Sequence, residues 1–311
     1  VNDDALARVS RSLPSGAIDA LAGLPGADLT TAMLEIARRR AERSTAAEVL
    51  RRYERDRFVR PGEVDPASIR LVERRLFGGL PSGFEEVALA PLTPIGTHRI
   101  ASVAQSRLIT TDRPNEVAAD PTNALALEAA LRRRALLRTD PRSSGTVQLA
   151  ASQRVVRAQR FEGEASFAHF RLFGFLTAGR DTGNLTFERE TLTTHLRYLA
   201  ETIGSLTGLV VRLSLTALSR PRMEPVLEAV AGTFASDDRA EVAHDPDRAA
   251  GRDYYEGACF KVHVLRADEG PMEVADGGFV GWTQQLLASR KERLLISGIG
   301  VERLALSRRS S

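Results

Sequence analysis

The feature that most constrains this chain is a change of periodicity near Phe84. Before it, apolar residues recur at helical spacing. After it come short β-type runs at 86–92, 107–111, 145–150, 154–159, 170–178, 209–215, 258–265 and 294–298. Helical stretches at 121–137, 185–204, 221–234 and 283–290 separate them. Few of the runs are joined by the tight two-residue turns of a meander. The pattern therefore predicts an α+β fold, a mainly antiparallel sheet flanked by helices.

The first third predicts a helix over 29–42 with Asp28 as its N-cap, and a second over 45–57 with Val49, Leu50 and Tyr53 on one face. Arg60-Pro61-Gly62 ends the second. A third opens at Asp65-Pro66, where the missing proline N–H costs least, and runs through Ile69, Val72 and Leu76. This divides the chain into an N-terminal helical extension, 1–64, and a core domain, 65–311. Arginines crowd the extension (Arg38, Arg39, Arg40, Arg43, Arg51, Arg52, Arg55), but Glu35, Glu42, Glu48 and Glu54 are interleaved at pairing distance. Interleaved acids break a phosphate track, so the expectation is a solvated face.

Composition supports the same exclusions. Of 311 residues, 43 are basic and 40 acidic, a net charge of +3 that is too slight to imply nucleic acid or a membrane surface. A single cysteine, Cys259, excludes an internal disulfide and a cysteine-based zinc cluster. The five histidines show no metal-type spacing, so no metal site is expected. No apolar stretch approaches the roughly 20 residues of a membrane span, and Val1-Asn2-Asp3-Asp4 lacks a signal-peptide profile. A cytoplasmic protein is expected.

The C-terminal segment carries the clearest chemistry. Leu294-Leu295-Ile296-Ser297 reads as an apolar strand running into Gly298-Ile299-Gly300, then Val301-Glu302-Arg303 at a helix start. Such glycines serve a tight turn or the close approach of a ligand. An arginine in the first helical turn can fork onto a phosphate. This segment resembles motif 3 of class II aminoacyl-tRNA synthetases. Upstream, Gly251-Arg252-Asp253-Tyr254-Tyr255-Glu256-Gly257 resembles the Arg-Gly-Leu-Asp-Tyr-Tyr-Thr-Gly segment of histidyl-tRNA synthetases. Asp276-Gly277-Gly278-Phe279 falls on that family's glycine-rich run. The order and spacing of the three is more specific than any one alone.

The resemblance extends to motif 2, with Arg154 to Arg160 as first strand, 161–166 as loop and Phe167 to Gly174 as return. It implies that Arg157 contacts the α-phosphate of ATP, that Arg303 holds the far end of the triphosphate, and that Gln159, Gly298 and Gly300 complete the ATP site. Arg157 and Arg303 would be the catalytic pair, because charge builds on the phosphoryl group as pyrophosphate leaves. Asp120 and Thr122 fall where the family binds the substrate amino group; Asp120 with Pro121 is equally an ordinary helix start. Tyr254, Tyr255, Gly277 and Gly278 would line the substrate pocket. Two adjacent tyrosines on a strand point to opposite faces, so one is expected in the core or rim. Residues 66–91 resemble motif 1, which implies a homodimer.

The departures fall on functional positions. Ala250 replaces an arginine that neutralises the α-phosphate, with Arg252 as the nearest substitute. Gln159 replaces the glutamate that reads adenine, Leu172 and Leu176 replace polar groups, and Phe279 replaces an arginine. The sequence carries no anticodon-binding domain after Arg303, so tRNA charging is not expected. Two readings follow from the resemblance. One is a paralogue that binds ATP, with or without Mg2+, and activates an amino or other carboxylic acid. The other is a non-catalytic regulator like the regulatory subunit of ATP phosphoribosyltransferase, with a protein partner.

Overall fold

A computed structural model of the protein describes residues 3–158, 167–249, 251–266 and 270–308. Gln159 and Ala250 lie outside the described residues. The extension holds α1 (Asp3–Ser12), α2 (Ala17–Ala22), α3 (Gly26–Glu42) and α4 (Ala46–Arg55). Helix α4 starts on a capping box. Thr45 Oγ1 accepts from Glu48 N at 3.3 Å, and Thr45 N donates to Glu48 Oε2 at 2.9 Å. Helix α3 starts earlier than the periodicity indicates, so Pro25 is its N-cap and Asp28 lies in its first turn. None of α2, α3 and α4 contains a buried residue. Two arginines of this face are ion-paired: Arg38 bonds Glu35 and Glu42, and Arg39 bonds Glu35.

From α5 (Pro66–Gly78) the chain builds a layered domain, continuing through β1 (Phe84–Glu86), β2 (Leu92–Pro94), α6 (Thr97–Ile100), β3 (Asn115–Val117) and α7 (Pro121–Thr139). There follow β4 (Val147–Val156), β5 (His169–Arg180), α8 (Thr186–Thr207), β6 (Val211–Ala217), α9 (Arg220–Gly232) and β7 (Ala240–His244). The domain closes with β8 (Glu256–Arg266), β9 (Gly270–Phe279), α10 (Trp282–Leu287), β10 (Glu292–Gly300) and α11 (Val301–Leu306). Eight strands form one sheet in the order β1-β4-β5-β10-β9-β8-β6-β7. Only the outermost pairs, β1 with β4 and β6 with β7, are parallel. The fold is α+β with a mainly antiparallel sheet, as the periodicity predicts.

Several strands differ from their sequence pattern. The runs predicted at 145–150 and from 154 onward merge into one strand, β4, over Val147–Val156, within which Ser152 Oγ donates to Glu73 at 2.5 Å. The run at 107–111 is a 3-10 turn and one isolated bridge, Thr110 to Glu116. Strand β9, rich in Gly and acids, is held by partners on both sides.

The sheet buries both faces. On one, α5, α8, α9 and α11 enclose Leu76, Phe173, Phe175, Leu196, Leu199 and Phe260. Each such side chain contributes about 1.5–3 kcal/mol by leaving water. His195 sits fully inside this layer, its Nε2 2.9 Å from Thr177 Oγ1 and its Nδ1 2.8 Å from Ser297 Oγ. Burial pushes its pKa down to about 3, so it is neutral. On the other face, α7 and α10 cover only part of the sheet, over Leu149, Leu176, Leu294 and Ile296. Arg133 of α7 and Glu292 of β10 form a fully buried ion pair there at 2.9 Å. The uncovered part is a cleft.

Candidate functional site

The registers of the central strands explain why a cleft exists. Lys261 of β8, Asp276 of β9, Gly298 of β10 and Gly174 of β5 stand side by side across the sheet. The two glycines leave a furrow. A Cβ on Gly174 would lie 2.8 Å from Pro121, so its absence lets the start of α7 close against β5. A Cβ on Gly298 would meet nothing nearer than 3.9 Å, so that position opens into the cleft. Further along the same face come Gly300 and Leu172, then Phe170. The resulting cleft has a volume of about 490 Å³.

Arg157, Arg303, Asp120, Thr122, Tyr254, Tyr255, Gly298 and Gly300 all line this cleft. They come from four separate stretches of chain, and tertiary folding alone brings them together. Arg157 follows β4, its backbone N bonded to Ala168 O at 3.0 Å. Its guanidinium donates to Ala119 O at 3.0 Å and to Asp120 Oδ2 at 3.2 Å, and lies 5.3 Å over the Phe170 ring. Asp120 does two things at once: Oδ1 caps α7 by accepting from Thr122 N and Thr122 Oγ1, at 2.9 and 2.7 Å, while Oδ2 takes Arg157. Arg303 stands in the first turn of α11 and reaches Glu273 O at 3.4 Å.

Gly277 and Gly278 do not line the cleft. A Cβ on Gly277 would sit 2.3 Å from the Phe260 ring, and one on Gly278 would sit 2.7 Å from Cys259 and Tyr255. Both positions serve close packing behind the wall. The tyrosines correct another expectation. Gly251, at φ +76°, turns the chain into a 3-10 segment, Arg252–Tyr254, so strand alternation does not apply. Both rings face the cleft, edge to face at 5.0 Å, with Tyr254 against Trp282 at 5.4 Å. Burial raises both phenol pKa values well above the ordinary range. Arg252 is exposed and bonds backward, to Pro246 O and Arg248 O at 3.4 Å, so it does not substitute for the arginine missing at 250. Phe279 is buried in the core, as is Leu176; Leu172 edges the cleft.

The structure adds residues that the motifs do not mark. His98 is fully buried, with Nδ1 2.6 Å from Asn123 Oδ1 and Nε2 accepting from Ala119 N at 3.1 Å. That pairing makes Nδ1 the protonated nitrogen. Asn123 Nδ2 lies 3.5 Å from Tyr254 Oη, continuing a polar line to the cleft wall. Arg248 and Asp276 form a second pair at 3.0 Å. Burial raises the Asp276 carboxyl pKa and Arg248 holds it back. Adjacency to the glycine run was the only sequence signal for Asp276. Arg248, in an irregular loop, offered none.

No protein-family model matches the chain, and no curated protein matches it in sequence. Its fold does match solved structures. It is similar to the apo histidyl-tRNA synthetase of S. aureus at 14% identity and TM-score 0.58, over 79% of this chain and 72% of that one. It is similar to an ATP phosphoribosyltransferase regulatory subunit/histidyl-tRNA synthetase from Bacillus halodurans at 13% identity and TM-score 0.58, over 81% and 83%. It is also similar to a histidine–tRNA ligase subunit from Alicyclobacillus acidocaldarius at 16% identity and TM-score 0.60, over 81% and 96%. The chain has the class II synthetase-like fold. Among the described residues no helix is long and apolar enough to cross a membrane, and no group of His, Cys, Asp or Glu is placed to hold a metal.

Proposed function

We propose that the protein is a histidyl-tRNA-synthetase-like paralogue whose cleft binds ATP or a related anionic ligand, together with an amino or other carboxylic acid. The observation that carries this is the convergence of Arg157 and Arg303 on one cleft, into which Gly298 opens. Two guanidinium groups from different elements suit the two ends of a polyphosphate, each charge-assisted contact contributing on the order of 1.5–3 kcal/mol. Phe170 and Leu172 offer apolar surface for a flat ring. Asp120 beside Arg157 presents an acid for an ammonium group and a cation for a carboxylate. Gln159 belongs to this reading as an adenine contact, as do Tyr254 and Tyr255 on the substrate side.

Adenylate formation asks for more than binding, namely donors aimed at charge that appears only in the transition state. Ala250 supplies none, and Arg252 points away. Histidine activation is therefore expected to be near background. The alternative is the regulatory reading, in which ligand occupancy is passed to a protein partner; Leu172 in the cleft and Phe279 in the core favour it over fast catalysis. No tRNA contact is part of either reading, since Arg38 and Arg39 of α3 are held by their own glutamates. A homodimer is part of both. The buried face of α5 (Ile69, Val72, Leu76) is spent inside the chain, so pairing would use its outer side, where Leu71 is exposed.

The test is calorimetry with ATP and Mg2+, run beside pyrophosphate exchange over an amino-acid panel. Expected are ATP binding, a loss of tenfold or more in Arg303→Ala, and no exchange with histidine. Exchange with another acid selects the ligase reading. Binding without any exchange selects the regulator. Absence of ATP binding overturns the nucleotide reading of the cleft, and with it the ligase. Light scattering at micromolar concentration is expected to give twice the protomer mass.

A further inference from the structure

The floor of the cleft carries an ion pair that the adenylation chemistry does not use. Asp276 lines the cleft from β9, and its side chain is 36% exposed, whereas that of its partner Arg248 is only 2% exposed. Arg248 sits behind the wall. Its Nη1 donates to Phe260 O at 3.0 Å, its Nη2 reaches Asp276 Oδ1 and Oδ2 at 3.1 and 3.0 Å, and its guanidinium lies 5.4 Å over the Tyr255 ring. Tyr255 Oη donates to Asp276 Oδ1 at 3.1 Å.

A carboxylate accepts about four hydrogen bonds. Oδ1 receives both Arg248 and Tyr255, while Oδ2 receives Arg248 alone. Acceptor capacity is thus left on Oδ2, in a side chain that is partly open and lines the cleft. The buried guanidinium supplies the compensating charge, so the carboxylate does not need a ligand cation for neutrality. It does need donors. Beside it Gly298 leaves room, and Tyr254 and Tyr255 line the cleft.

We propose that Asp276, positioned by Arg248 and Tyr255, is a specificity subsite that takes an N–H-donating head group of the ligand, an amine, guanidinium or amide nitrogen. An acceptor-only head, such as a carboxylate, would face Asp276 without a proton between them and is rejected. An aliphatic head of the same size would leave Oδ2 desolvated and unpaired. The proposal rests on the cleft being the ligand site, and deepens that reading by naming what the ligand carries at the floor.

The experiment is calorimetry on the full chain with lysine, arginine, glutamine, norleucine and glutamate, each with and without ATP. The three donors are expected to bind at least tenfold tighter than norleucine, with glutamate weakest. Asp276→Asn is expected to narrow the gap between donors and norleucine to less than threefold. Tyr255→Phe leaves the ion pair in place; it loosens Oδ1 and narrows the gap part of the way, so it serves if Asp276→Asn fails to fold. Equal binding of glutamine and norleucine, tightest binding of glutamate, or no binding by any of the five overturns the subsite. ATP binding with a flat panel removes the subsite and leaves the nucleotide reading. A discriminating panel without ATP binding does the reverse.

Discussion

Helices α4 and α5 show how differently one sequence signal can end. Both are amphipathic and both begin on a side-chain cap, Thr45 in one and Asp65 in the other. In α5 the apolar stripe disappears into the sheet domain, with Val72 and Leu76 at 0% exposure. In α4 the corresponding stripe stays in water, Val49 at 56% and Leu50 at 58%. The extension meets the domain mainly through its connector, where Arg57 Nη2 donates to Ala158 O at 2.8 Å and His169 Nε2 donates to Arg60 O at 2.6 Å. Periodicity states which face of a helix is apolar. Whether that face is covered depends on what the rest of the chain brings to it.

The contrast is sharpest for charge. Arg133 and Glu292 are both wholly buried, and removing one leaves the other unpaired in a medium that cannot solvate it. Arg133→Ala is expected to cost about 3–5 kcal/mol in urea unfolding. Arg38→Ala, in an exposed pair on α3, is expected to leave the midpoint unchanged. A comparable loss from the two would break the division into a packed domain and a solvated extension.

Apolar side chains give the next test. Leu76→Ala is expected to destabilise by about 2–5 kcal/mol, because a cavity remains in the core. Leu50→Ala is expected to stay within about 0.5 kcal/mol, unless a partner covers α4. Measuring the second variant at increasing protein concentration therefore also reports on whether the extension is occupied.

The smallest effect concerns pH. His195 is buried and neutral, with its folded pKa at about 3. Below the ordinary value near 6.5 the unfolded chain takes up a proton that the folded chain refuses. Stability is thus whole above about 6.5 and falls as pH drops toward 3, by roughly 1.4 kcal/mol per unit. Urea titrations at pH 7 and 5.5 should show this loss in the natural protein and a smaller one in His195→Gln. Identical pH dependence in the two would mean that another group dominates.

Much of the site was legible because its backbone is local. The strand, glycine turn and helix start at 294–303 appear as β10 running into α11, and Arg303 falls in the first helical turn. Asp120 was open between helix cap and ligand contact; one oxygen caps α7 and the other takes Arg157 at the cleft wall. The alternation expected of the two tyrosines does not hold because a positive φ at Gly251 sets a 3-10 turn there, while both rings line the cleft. Gly277 and Gly278 looked like ligand positions, since close approach to a ring and close approach to a ligand demand the same residue.

What the sequence determined by itself lies within a few residues of its cause: the caps of α4, α5 and α7, the polarity of each helix face, and the chain reversals at glycine. These follow from hydrogen bonds and backbone sterics that need no distant partner. Tertiary structure alone decided that Arg157 would meet Asp120, that Arg248 would back Asp276, and that α5 but not α4 would find a surface. Each of those outcomes joins segments far apart in sequence. Bringing them together costs chain entropy that no local pattern records, and only the completed sheet, with its registers fixed across the cleft, repays it.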